Sequence, residues 1–180
     1  MDCSLASVCG GCSLWHLDEK EYRQRKCAVV QKALQSITRQ DFVFSEPVFI
    51  KEGCRRRASF AFRRAGGGIV LGFNAYRSNE IVDLPGCPQL TPALNRSLRG
   101  LLSELCRVPL TVKEGRKGRA KTVYVEKGDL WLTEADNGLD AVLEFDRPLN
   151  LELREIIFER VSAAADVIRV SHRFAPDRPA

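Results

Sequence analysis

Arg56-Arg57-Ala58-Ser59-Phe60-Ala61-Phe62-Arg63-Arg64-Ala65-Gly66-Gly67-Gly68-Ile69-Val70-Leu71-Gly72-Phe73 decides the fold class. Side chains of a strand alternate between faces, so Ala58, Phe60 and Phe62 share one face and Arg57, Ser59, Ala61 and Arg63 the other. That is the pattern of a half-buried strand. Three glycines then turn the chain, and residues 69–73 return as an antiparallel partner. A glycine run between two strands reads as a hairpin turn; a phosphate-cradling loop would lead into a helix instead.

Outward from this hairpin, helical and extended patterns alternate irregularly. Towards the N-terminus, residues 18–37 predict a helix. Asp18 and Glu21 are placed as a capping box, and Tyr22, Val30, Leu34 and Ile37 recur at helical spacing. Towards the C-terminus, Thr91-Pro92 offers an N-cap with proline at the first helical position, and Leu94, Leu98, Leu101, Leu102 and Leu105 continue the helix. Candidate strands follow at 110–114, 121–126, 130–134 and 141–145, with Lys127-Gly128-Asp129 as the hairpin joining two of them. A helix over 151–165 and a strand over 167–171 complete the pattern. Antiparallel strands interrupted by helices predict an α+β fold, a mostly antiparallel sheet with about three helices.

The 180 residues suffice for one sizeable core, and 44% hydrophobic with 28% charged residues is ordinary for a globular protein. No apolar run approaches a membrane span. Charge is unevenly placed: residues 51–80 hold seven basic against two acidic side chains, an excess equal to the +5 of the whole chain. A second basic window covers 113–127, with six basic against two acidic. Such clusters attract polyanions, nucleic acid above all, although solvated strands carry similar charges for solubility alone.

Three cysteines crowd the N-terminus as Cys3-x5-Cys9-Gly10-Gly11-Cys12, and Cys87 follows much later in Pro85-Gly86-Cys87-Pro88. Thiolates at short, glycine-spaced intervals can wrap one side of a metal centre, with a distant fourth ligand tying a remote segment to it. The glycines are expected to let the backbone curl so that Cys9 and Cys12 face one point. An iron–sulfur cluster, a zinc ion and unliganded thiols all remain open on spacing alone. No charged and apolar leader precedes Cys3, so a reducing, cytoplasmic setting is expected, which disfavours disulfides. Cys27 and Cys106 fall in helical runs and read as small core residues.

In order along the chain come Cys3-x5-Cys9-Gly10-Gly11-Cys12-x3-His16-Leu17, Arg55-Arg56-Arg57-Ala58-x-Phe60, and Gly72-Phe73-x3-Arg77-Ser78-x2-Ile81-Val82-Asp83-x3-Cys87-Pro88. Together these resemble the iron–sulfur-containing RNA uracil-5-methyltransferases, over nearly half of the chain. The resemblance implies that Cys3, Cys9, Cys12 and Cys87 ligate a four-iron–four-sulfur cluster, that His16 packs near it, and that Arg55, Arg56 and Arg57 contact RNA. Arg63, on the Arg57 face, and Arg77, on the way to Cys87, are further candidates for phosphate contact.

Methyl transfer to uracil C5 needs an S-adenosylmethionine site, a nucleophilic cysteine and a base. The resembled family takes its nucleophile from a Ser-Cys-Asn-Pro-type motif in a separate catalytic domain. Neither that motif nor a GxGxxG occurs here, so no catalytic residue is assigned in this chain. Residues 1–175 are expected to form the central cluster-bearing domain, with a cysteine knuckle over 3–17 and a tail over 176–180 leading toward an absent catalytic domain. The expected partner is ribosomal or transfer RNA, the expected state a monomer, and S-adenosylmethionine a cofactor of a full-length protein only. A free-standing cluster-bearing or zinc-bearing RNA-binding module and a redox sensor are the alternatives.

Overall fold

The computed structural model describes residues 3–37, 43–108, 111–114, 121–124, 126–164 and 166–174. Helix α1 (Glu19–Ile37) precedes the expected hairpin of β1 (Arg57–Ala65) and β2 (Gly68–Asn74). A short β3 (Ile81–Asp83) leads to α2 (Pro92–Arg107), followed by β4 (Thr111–Glu114) and β5 (Lys121–Tyr124). Strands β6 (Lys127–Ala135) and β7 (Gly138–Phe145), helix α3 (Leu151–Ser162) and β8 (Val167–Phe174) follow among the described residues. Six strands form one sheet in the order β3-β2-β1-β6-β7-β8, and β4 and β5 pair separately. Neighbours in the large sheet are antiparallel except β7 and β8. That parallel pair needs a crossover, and α3 is the crossover. The fold is α+β, as expected.

One face of the sheet carries Phe60, Phe62, Leu71, Leu130, Leu132, Leu143 and Phe145, all buried. Helix α2 covers it with Leu94, Leu98, Leu101 and Leu105, and α3 with Leu153, Ile157 and Val161. Each helix starts on a side-chain cap that satisfies an otherwise orphaned N–H. Thr91 Oγ1 accepts from Leu94 N at 3.4 Å, Asn150 Oδ1 from Leu153 N at 2.9 Å, and Asp18 Oδ1 from Glu21 N at 2.8 Å. The opposite face holds Arg57, Ser59, Ala61 and Arg63, registered against Thr133, Trp131, Asp129 and Lys127 of β6. It is half-buried to exposed.

Three expectations need correction. Lys127-Gly128-Asp129 is no hairpin turn but the start of β6, where a Cβ on Gly128 would lie 2.4 Å from Glu144 O and 2.5 Å from the Phe62 ring. The glycine makes room for Phe62, and the turn falls at Asp136-Asn137 between the paired Ala135 and Gly138. The apolar stripe of α1 buries none of its residues. Val30 is 52% exposed and Ile37 81%, because the core face of the sheet is already covered by α2 and α3. Cys106 is exposed and Cys27 half-buried, so neither is a core residue. The tail 176–180 and residues 115–120 and 125 of the second basic window lie outside the described residues.

Candidate functional site

Residues 3–12 fold as tight turns laid against the β2–β3 connection. Ala6 N donates to Cys3 O at 3.1 Å and Cys9 N to Leu5 O at 2.8 Å, coiling the first cysteines together. Gly10 N then donates to Asn74 O at 2.9 Å, and Tyr76 N to Val8 O at 3.1 Å, so the loop is pinned to the end of β2. A Cβ on Gly10 would lie 2.7 Å from Asn74 O, and one on Gly11 3.1 Å from the Phe73 ring. Among the described glycines, positive φ occurs at Gly53, Gly66, Gly67 and Gly138, not at Gly10 or Gly11. The expected curl is therefore a matter of clearance against β2 rather than of left-handed backbone. Gly11 N also donates to Cys9 Sγ at 3.4 Å.

Cys87 arrives from the other side, in the connection between β3 and α2. Asn95, on the first turns of α2, fixes it. Its Oδ1 accepts from Cys87 N at 2.8 Å, while Nδ2 donates to Cys87 O at 2.9 Å and Leu90 O at 3.2 Å. Sequence reasoning missed Asn95, because nothing in a helical run distinguishes an asparagine that faces solvent from one that clamps a loop.

Cys3, Cys9, Cys12 and Cys87 line one cavity, whose other walls include Leu5, Ala6, Phe73 and Leu84. All four are free thiols. Burial pushes the Cys12 thiol up; the Arg55 charge opposes this, and Cys87, Cys9 and Cys3 add to it. The four sulfurs and one guanidinium thus share an electrostatic environment. Among the described residues, no three of His, Cys, Asp and Glu are placed to hold a metal ion as they stand. His16 does not line this cavity; it is exposed, its ring edge-on to Trp15 at 6.0 Å.

The arginines separate into distinct roles. Arg55 is half-buried, and its backbone bonds Gln89 and Thr91 at 2.9 and 3.2 Å, joining the entry to β1 to the Cys87 loop. Arg56 is paired with Asp136 at 2.9 Å on the β6–β7 turn. Arg57 and Arg63 are exposed on the outer sheet face, where Arg63 sits directly opposite Lys127. Like charges facing one another across a ladder are destabilising unless an anion intervenes. Towards the other edge the face neutralises itself: Arg169 donates to Asp140 at 2.8 and 2.5 Å, and Arg173 pairs with Glu144 while lying 5.1 Å from the Trp131 ring centre. The β1 side of the face, next to the cysteine loop, therefore carries Arg57, Arg63 and Lys127, with Asp129 of β6 as a carboxylate among them. Arg77 lies on the β2–β3 turn, with φ of 53° and its guanidinium 5.1 Å from the Tyr76 ring centre.

No protein-family model matches the chain. It is similar to curated RNA methyltransferases. It is 31% identical over 164 residues to an uncharacterized RNA methyltransferase of Agrobacterium fabrum, covering 91% of this chain and 36% of that protein. It is 32% identical over 182 residues to the 23S rRNA (uracil(1939)-C(5))-methyltransferase RlmD of Edwardsiella ictaluri, covering 98% and 38%. A shorter match, 38% identical over 108 residues, joins it to an uncharacterized RNA methyltransferase of Mesorhizobium japonicum, covering 58% and 25%. Its homologues thus include RNA uracil-5-methyltransferases, and the chain spans less than two fifths of the length of these relatives. Among the described residues, no helix is long and apolar enough to cross a membrane.

Proposed function

We propose that this chain is the cluster-bearing and RNA-recognising portion of an S-adenosylmethionine-dependent RNA uracil-5-methyltransferase, acting in the cytoplasm. The observation that carries the reading is the convergence of Cys3, Cys9, Cys12 and the distant Cys87 on one cavity with apolar walls. A donor set of four thiols in apolar surroundings fits a four-iron–four-sulfur cluster, and the Gly11 N–H to Cys9 Sγ bond is of the kind that tunes cluster sulfurs. Cys3, Cys9, Cys12 and Cys87 would hold it, and it would serve as a cross-link between the N-terminal loop and the Cys87 segment. Arg57, Arg63 and Arg77 would grip RNA phosphates, and Arg55 would balance the negative charge of the thiolate site. Arg56 would contribute less, since Asp136 already engages it. Methyl transfer is assigned to polypeptide beyond the matched span, because neither a Ser-Cys-Asn-Pro motif nor a GxGxxG occurs in this sequence.

Anaerobic reconstitution with iron and sulfide tests the centre. The expected product is brown, with about four irons per chain. Cys87→Ala lowers the iron content and Cys106→Ala leaves it intact. Stoichiometric zinc without iron after anaerobic purification overturns the assignment.

A further inference from the structure

Beside the cysteine loop, the outer face of β1 opens into a groove lined among others by Ser59, Ala61, Asn74, Tyr76 and Arg77, with Asp129 of β6, a carboxylate, also in its lining. Ser59 and Ala61 are small, so the strand surface between Arg57 and Arg63 has no bulky side chain standing on it. Tyr76 forms part of the wall. It stays 58% exposed although the Arg77 guanidinium lies 5.1 Å from its ring centre. Its backbone is fixed on both sides, by Tyr76 N to Val8 O at 3.1 Å and by Ala75 N to Glu80 O at 2.7 Å. The ring contributes nothing to the core, yet it is held on an ordered turn, the arrangement that lets an aromatic engage a ligand at low entropic cost. Asn74, exposed at the rim, can offer both an amide donor and an acceptor.

We propose that this groove takes an unpaired nucleobase of single-stranded RNA, stacked on Tyr76 and Arg77, while Arg57 and Arg63 hold the phosphates on either side. An aromatic ring with a guanidinium beside it is a stacking platform tolerant of base identity. The bases of an A-form duplex are not available to such a platform, so the groove selects single strands, loops or bulges. This proposal rests on the RNA reading above and adds the residue and the ligand moiety to it.

The test titrates the full chain with a short unstructured RNA bearing a fluorescent adenine analogue, and with the matching duplex, across a range of salt. The parent is expected to prefer the single strand and to quench the analogue. Tyr76→Ala is expected to weaken binding by roughly 5- to 150-fold, to abolish the quenching, and to leave the salt slope unchanged, since no charge is removed. Tyr76→Phe retains both affinity and quenching, because stacking does not need the hydroxyl. Unchanged thermal melting of both variants shows that the fold is intact, as the exposure of Tyr76 implies. Parental binding by Tyr76→Ala, or equal affinity for the duplex, overturns the groove and leaves the RNA reading standing. A parent that binds neither RNA at low salt overturns both.

Discussion

Replacing Gly72 by alanine tests how the sheet edge holds the cysteine-lined cavity together. A Cβ at this position would lie 1.9 Å from the Val82 carbonyl oxygen and 3.2 Å from the Leu84 Cβ. Ordinary C···O contact begins near 3.3 Å, so β3 must retreat by about 1.4 Å. The two strands are joined through Gly72↔Asp83, Phe73↔Val82 and Asn74↔Ile81, with Leu84 N donating to Leu71 O at 3.1 Å just beyond. Such a retreat breaks two or three of these bonds; at about 1 kcal/mol each the cost is about 2–3 kcal/mol, comparable with other overpacking substitutions. Because β3 is a three-residue edge strand, the damage is local opening rather than global unfolding. The segment that opens carries Leu84 and Cys87, which are 8% and 9% exposed. In the metal-free chain, modification of Cys87 by a thiol reagent, followed by peptide mapping, should accelerate by about 30- to 150-fold, the same free energy read as an opening equilibrium. Cys54 and Cys106, both exposed, serve as internal controls whose rates stay constant. Parental protection of Cys87 together with an unchanged urea midpoint would refute the reasoning.

Asn95→Ala removes one acceptor and two donors that hold the Cys87 loop; it should cost about 2–3 kcal/mol in urea denaturation and lower iron incorporation, whereas a cost under about 0.5 kcal/mol would show the clamp to be idle. Phe60→Ala, at a fully buried ring stacked 5.1 Å from Phe73, should lose about 3–5 kcal/mol. Arg57→Gln with Arg63→Gln should weaken RNA binding with little sequence dependence and flatten the salt slope by about one phosphate contact per arginine, while stability stays within about 0.5 kcal/mol; parental binding across a salt titration would remove these arginines from the RNA surface. His172 is held below its ordinary pKa by burial and then by the Arg154 charge. The fold therefore favours its neutral form, so stability should be constant above about pH 7 and fall as pH drops through the unfolded value of about 6.5; His172→Gln should remove that component of a pH series of urea midpoints.

The elements that sequence made legible are those whose signals are local. The β1–β2 hairpin follows from two-residue alternation and three glycines, and α2 from Thr91-Pro92 and a leucine repeat. The misplaced β6–β7 turn shows where local signals compete. Lys127-Gly128-Asp129 and Asp136-Asn137-Gly138 both look like turns, and only the packing of Phe62 against Gly128 decides between them. An Asn-Gly pair is a strong hairpin signal, but as the loop pair it would put the turn at 137–138, one residue past the Asp136-Asn137 that the register shows. The parallel β7–β8 pair leaves no local signal, since a helix between two strands does not state which neighbour the second strand will join. Nor does the exposure of α1, because amphipathic spacing says that a helix has an apolar face and not that something covers it.

At the candidate site the same division separates ligand type from support. Cysteine spacing groups Cys3, Cys9 and Cys12 with the distant Cys87, and all four line one cavity. The parts that hold them in place are long-range and leave no pattern: Asn95 on α2, Gly72 against β3, and the Arg55 backbone bonded to Gln89 and Thr91. These supports also link the cysteine cavity to the cationic strand face. Arg55 immediately precedes Arg56 and Arg57, and Gly10 bonds to Asn74 at the end of β2, beside Tyr76 and Arg77. A displacement of the cysteine loop or of the Cys87 segment therefore moves the two borders of the outer β1 face. A centre that cross-links those segments would set the spacing of the surface assigned to RNA without touching RNA itself.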